Sequence, residues 1–277
     1  VGNFVHQFGL QSSTSSSMKV TMEEPASNEA FFNSRLMGAM FVYDKNDFFG
    51  TASVHVESEA LKKKSNELGK MGYGAMSRLV YRPLHDTGRL FQLGISGAYE
   101  TPRYNSEPTL NHTSFDLGAN FPTRIAKVRA VNALIPDAKN LIKFTPEMIA
   151  GYGPVALEAQ YYYLQVNRKK DFKNYKASGM YGILRGLLIG GNYRYSHTDC
   201  GIAGSLECVF GYNYTDMSDT RSHIYGGRLN DVSFTVNYYI NKYMIWRFRY
   251  SYTKITDRVG FENQSLSAFQ TRFQVIF

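Results

Sequence analysis

The chain has 277 residues, 43% of them hydrophobic, with a mean hydropathy of −0.33. It contains no apolar run of the roughly 18 residues a membrane-spanning helix needs, which excludes a helical membrane protein. A transmembrane β-barrel stays open, because half of each barrel strand faces water. The 31 Lys and Arg against 23 Asp and Glu leave a net charge of +8, which favours anionic partners without saying where the charge sits.

Residues 1–8 read as a strand, with no Met, basic or apolar leader ahead of them. An exported barrel needs a signal peptide, so the expectation is a chain lacking its beginning. Residues 11–35 form a long loop, rich in Ser and Thr and then carrying Glu23, Glu24, Pro25, Asn28 and Glu29, with room for a short helix. Long loops in compact barrels are usually functional. Strands at 36–43 and 48–58 meet at the polar turn Asp44-Lys45-Asn46-Asp47. Lys62, Lys63 and Lys64 fall in segment 59–72, where the plain reading of a Lys run is a solvated loop.

Strands at 73–82 and 89–100 form the next hairpin; Phe91, Leu93, Ile95 and Tyr99 share one face of the second, opposite Gln92 and Ser96. Segment 101–138 carries Pro102, Pro108, Pro122 and Pro136, which forbid a regular central strand, together with Arg103, Arg124, Lys127 and Arg129 and, at its exit, Lys139 and Lys143. Strands at 140–151 and 154–168 follow across a Gly-Tyr-Gly-Pro turn, then 175–191, 205–215, 229–240, 243–254 and 265–277. In the penultimate strand Trp246, Phe248, Tyr250 and Tyr252 share one face, and Arg247, Arg249 and Ser251 the other. In the last, Phe269, Thr271, Phe273, Val275 and Phe277 alternate with Gln270, Arg272 and Gln274, and the chain ends on an aromatic as bacterial outer-membrane barrels do.

This makes twelve strands of an all-β, antiparallel transmembrane barrel in a single domain. Counting back from a C-terminus on the periplasmic side puts the turns near Asn46, Asp86, Gly153, Ile202 and Asn241 inside the cell envelope and the long segments outside, the asymmetry of bacterial barrels. A turn near Ile202 sets Cys208 opposite about Ser196, so Cys200 and Cys208 are expected as free thiols. The 21 Tyr and 19 Phe suit interfacial girdles.

Several stretches in this order carry a family resemblance: Gly2 to Leu10, Thr21-Met22-Glu23, Arg35 to Gly38, Tyr181 to Gly190 with Arg194 and Tyr195, Gly226-Gly227 through Asp231 to Asn237-Tyr238-Tyr239, and Ala268 to Phe277. They resemble the phosphate-selective porin O and P family of bacterial outer-membrane proteins. The resemblance implies a sixteen-stranded barrel, usually a homotrimer, in which the third and fifth outer loops fold inward. The twelve strands would then be the C-terminal twelve, and segments 11–35 and 101–138 the two constriction loops.

The expected function is passive diffusion of small anions, phosphate or polyphosphate among them, through a basic-lined lumen between outer-membrane lipids. The anion-binding candidates are Arg124, Lys127, Arg129, Lys139 and Lys143 in or beside segment 101–138, Arg35 at the exit of segment 11–35, and Arg194, Arg247, Arg249 and Arg272, with Arg78, by inward parity. Arg suits phosphate because its fork bonds two oxygens, though each cation also has a plainer reading as a solvated or carboxylate-paired residue. Glu23 and Glu24 would be the acidic side of the constriction. Members of the family often carry a basic residue where Glu24 stands, so general or cation-preferring diffusion is the alternative. The six His are scattered outside any catalytic motif, which leaves an outer-membrane enzyme remote. No cofactor, metal site or nucleic-acid motif is expected.

Overall fold

Period-two alternation becomes one large antiparallel sheet in the computed structural model, which describes residues 1–15, 19–32, 35–57, 71–105, 107–123, 127–194 and 204–275. In chain order the elements are β1 (Gly2–Phe4), α1 (Leu10–Ser13), α2 (Ala26–Phe31), β2 (Leu36–Lys45), β3 (Phe48–Val56), β4 (Tyr73–Asp86) and β5 (Arg89–Glu100). There follow β6 (Phe115–Asn120), β7 (Arg129–Ile135), β8 (Ala138–Tyr152), β9 (Val155–Arg168), β10 (Tyr175–Ile189), β11 (Ser205–Asp219), β12 (Ile224–Asn241), β13 (Met244–Arg258) and β14 (Gln264–Val275). Twelve strands pair in chain order, while β6 and β7 make a separate hairpin. Among the described residues β1 and β14 do not pair with each other, so the sheet is open.

The two faces separate as the alternation requires. Outward positions carry a band of exposed large side chains, including Leu79, Tyr81, Ile95, Phe144, Tyr161, Leu184, Phe210, Phe234, Trp246 and Phe269. An apolar band this wide would be an aggregation liability in water and is the lipid face of a membrane barrel. The inner face is wrapped around residues 5–15 and 19–31. Gln7 meets Arg78 on β4, Asn28 meets Tyr162 on β9, Ser27 meets Asn213 on β11, and the Met22 carbonyl meets Arg272 on β14. One short segment can reach strands from β4 to β14 only if the sheet curls around it.

Pro146 sits inside β8, a central strand that normally excludes proline because its missing N–H breaks the ladder. The neighbouring Thr145 hydroxyl donates to the Tyr161 carbonyl at 2.6 Å, supplying the donor that Pro146 lacks. Gly179 on the inner face of β10 solves a different problem. A Cβ there would stand 2.9 Å from both Phe31 and Ser27, so glycine lets α2 lie against the wall.

Several expectations are corrected. The first strand is three residues long, not eight, because the chain turns inward at His6. Segment 101–138 adds no strand to the main sheet, as its prolines predict, but it holds the separate β6–β7 hairpin, which was not expected and whose strands lie between those prolines. β10 ends at Ile189 and β11 starts at Ser205, with Cys208 opposite Gly186 instead of Ser196; the turn expected near Ile202 lies outside the described residues. Cys208 is a free thiol; Cys200 lies outside the described residues, as do Lys62, Lys63, Lys64, Tyr195 and Phe277. On the other end, β11 and β12 extend to a short turn between Asp219 and Ile224 where a longer loop was expected.

Candidate functional site: the divided interior

The interior lies between the inner face and residues 5–15 and 19–31, and inward polar side chains hold those residues in place. The Arg247 guanidinium donates to the Lys19 carbonyl at 2.7 Å and Asn237 to the Val20 carbonyl at 2.9 Å. Arg272 donates to the Met22 carbonyl at 2.8 Å and pairs with Glu23 at 2.9 Å. Lys143, 2% exposed, donates to the Phe31 carbonyl at 2.8 Å, pairs with Glu100 at 2.8 Å and stands 4.7 Å over the Phe8 ring. An unpaired buried charge is costly, so each of these cations is tied to an acceptor. Glu24 pairs with Lys19 and accepts from Asn28 at 3.1 Å.

Further along the wall the same pattern repeats. Arg78 meets Glu147 at 2.5 Å, Arg185 meets Glu207 at 2.8 Å and Arg249 meets Asp231 at 3.2 Å. Arg249 also donates to the Pro122 carbonyl at 3.1 Å, which fixes the chain just after β6 against β13. The β6–β7 hairpin fills that side of the interior, with Val131, Ala133 and Ile135 buried in one apolar cluster with Met217, Leu229 and Ile255.

Among the described residues a cavity borders the inner segment at each end. At the tight-turn end a cavity of about 510 Å³ is bordered by Lys19, Arg78, Arg82, Arg185 and Arg194 against Asp44 and Glu158, with Ser13, Thr14 and Ser15 on its rim. At the opposite end a cavity of about 570 Å³ is bordered by Arg103, Arg129 and Lys143 against Glu24, Glu29, Glu100 and Asp116. One chamber is therefore basic and the other slightly acidic.

The connection after β10 shapes the basic chamber. The Tyr193 amide donates to the Gly153 carbonyl at 3.0 Å, and the Tyr193 carbonyl accepts from the Gly88 amide at 2.8 Å, so this stretch lies across two tight turns. Its Tyr193 hydroxyl donates to Glu207 at 2.7 Å, with the Arg185 guanidinium 4.7 Å over the ring. Burial, with the Glu207 charge close by, pushes the Tyr193 phenol well above its ordinary range, so it remains a neutral donor. Next to it, Arg194 is exposed and has no carboxylate partner among the described residues.

The candidate residues thus sort into groups. Arg247, Arg249 and Arg272 face inward by their strand parity, and Lys143, expected beside the 101–138 loop, also points in from β8; all four are bound to carboxylates or loop carbonyls. Arg194 lines the basic chamber. Arg129 lines the opposite one, paired with Asp116 at 2.5 Å. Arg35 and Lys127 are exposed, and Lys139 is an exposed residue at a register shift beginning β8. Arg124 lies outside the described residues. Lys19, Arg82 and Arg185 escaped the sequence reading. Arg185 shares the inward parity of Tyr181 and Ile183, which was a usable signal; the placement of Lys19 and Arg82 depends on how the inner segment and the β2–β3 turn fold, which no local pattern carries.

Comparison with known families agrees with this architecture. The phosphate-selective porin O and P family model matches residues 1–277, the whole chain. No curated protein sequence matches it. A curled antiparallel sheet with an apolar outer band, an inward-folded segment and a full-length family match lead to one assignment: the chain belongs to the phosphate-selective porin O and P family, the outer-membrane porins of bacteria.

Proposed function

We propose that the chain forms a passive diffusion pore for small anions, phosphate or polyphosphate among them, in a homotrimer, with no catalytic step. The observation that carries this reading is the basic chamber at the tight-turn end, where five cations face two carboxylates. Fixed charges in a narrow low-dielectric wall focus their field and raise the local concentration of the opposite ion. Because Lys19, Arg78, Arg82 and Arg185 are paired with Glu24, Glu147, Asp44 and Glu207, Arg194 is the leading anion contact. In this reading residues 11–35 and 101–138 act as constriction loops, and Ser13, Thr14 and Ser15 offer hydroxyls to a passing oxyanion.

General or cation-preferring diffusion is favoured by one specific observation, the excess of carboxylates around the second chamber. The reversal potential of the reconstituted protein in a salt gradient separates the two. Anion selectivity that falls in Arg194→Gln, with phosphate reducing chloride current, supports the proposal. A cation-selective pore, or one indifferent to Arg194→Gln, refutes it.

A further inference from the structure

The outward surface at the long-connection end of β8, β9 and β10 changes character in steps. Phe144, Tyr161 and Met180 belong to the exposed apolar band. Beyond them the Tyr163 hydroxyl donates to Gln165 at 3.4 Å, Gln165 to Asn167 at 2.8 Å, and Asn167 to Asn140 at 2.7 Å, a ladder of amides across two strands. Lys176 stands beside Gln165 on the neighbouring strand, and Lys139, Lys170 and Lys173 stand at and beyond the outer end of the ladder, all four exposed and none with a carboxylate partner among the described residues. Lys169 pairs with Asp137 at 3.3 Å, and Asp171 is the remaining carboxylate of the connection.

The corresponding surface on β11–β13 differs. There Arg228 is held between Asp216 and Asp257, each at 3.0 Å, so its charge is spent within the protein. Four unopposed lysines cluster on one corner of the rim, at and above a polar amide belt and a lipid-facing aromatic belt, whereas on β11–β13 the exposed cations Arg221 and Lys254 stand singly. That order matches the order of layers in a membrane: acyl chains, sugar or glycerol region, then phosphate.

We propose that this corner docks the phosphorylated headgroup of an outer-leaflet glycolipid, with Lys139, Lys170, Lys173 and Lys176 on its phosphates and Gln165, Asn167 and Asn140 on its sugar hydroxyls. A lipid fits better than a free anion because the cations lie on the outer surface, away from either interior chamber. Ammonium-to-phosphate bonds are charge-assisted, and amides serve sugar hydroxyls as both donors and acceptors. Lipid would then be retained at one side of the barrel.

Native mass spectrometry of the full-length protein in mild detergent tests this with three probes: a bis-phosphorylated acylated disaccharide, the same lipid with its phosphates removed, and phosphatidylglycerol. The bis-phosphorylated lipid should bind at least roughly tenfold more tightly than either of the others. Each cation near an anionic surface strengthens association about fivefold, so K170Q/K173Q/K176Q should weaken it by about 100-fold at low salt. The K45Q/K242Q variant, altered at the opposite end, should bind as the unmodified protein does. Equal binding of phosphorylated and dephosphorylated lipid overturns the proposal without reference to any variant. So do unchanged binding in the triple variant, preference for phosphatidylglycerol, and displacement of the lipid by millimolar inorganic phosphate, which would mark a free-anion site.

Discussion

Glu207 gives the sharpest test of how the wall holds the basic chamber. Its side chain is fully buried and accepts from Arg185 Nε at 2.8 Å, Tyr193 Oη at 2.7 Å, Asn237 Nδ2 at 2.9 Å and Tyr239 Oη at 2.8 Å. Asn237 in turn donates to the Val20 carbonyl, so one carboxylate links two wall strands, the connection over the chamber and the inner segment. Glu207→Gln keeps the shape and lets most hydrogen bonds reform, because the tyrosine hydroxyls can rotate and Asn237 Oδ1 has no partner to lose. What the substitution removes is the charge opposite Arg185. Breaking a buried pair from one side costs about 3–5 kcal/mol. The Arg185 side chain keeps 18% exposure on the chamber, so water relieves part of that, and the lower end, about 3 kcal/mol, is expected. The assay is urea unfolding in detergent, read by the gel mobility of the folded form. The double variant Arg185→Met with Glu207→Gln should recover most of the loss, since no buried charge is left unpaired. A loss below about 1 kcal/mol in Glu207→Gln, or no recovery in the double variant, would refute the reasoning.

Three further outcomes are expected. Gly179→Val places a Cβ where Phe31 and Ser27 already stand, so α2 should be pushed from the wall at a cost of about 1–3 kcal/mol; single-channel recording should show a changed conductance, and an unchanged one contradicts the docking role. Thr145→Val removes the donor that stands in for Pro146 and leaves the Tyr161 carbonyl unsatisfied, which should lower stability by about 1–2 kcal/mol in the same unfolding assay. His6 is buried, with one ring nitrogen 3.3 Å from the Leu36 carbonyl, and burial lowers its pKa below the ordinary histidine value. The unfolded chain therefore binds the proton more readily, so stability is full above about pH 6.5 and declines as pH falls below it. His6→Gln should flatten that decline; an equally steep profile in the variant would rule His6 out as a source.

Alternation alone located every strand of the main sheet to within a few residues at most ends, and it placed Arg78, Arg247, Arg249 and Arg272 on the inner face. It could do so because each strand separates lipid from interior, and a one-residue slip would expose a whole row of side chains to the wrong medium. The ends were less legible. β11 and β12 run on past their apolar stretch because Asp216, Arg228 and Asp257 satisfy one another there, a compensation visible only once the strands are paired. The β6–β7 hairpin escaped notice because its hydrophobic face is covered by the inner side of a distant wall rather than by its own neighbours.

Sequence by itself therefore determined the membrane class, the twelve strands of the main sheet, the facing of the wall and the family. Tertiary structure alone decided where charge is available. Lys143, Arg249 and Arg272 are cations in the composition, yet Glu100, Asp231 and Glu23 neutralise them, and these partners come from other strands or from the inner segment. Net charge counts every cation alike, whereas attraction for a solute depends on those left without a partner, and partners are assigned by the fold.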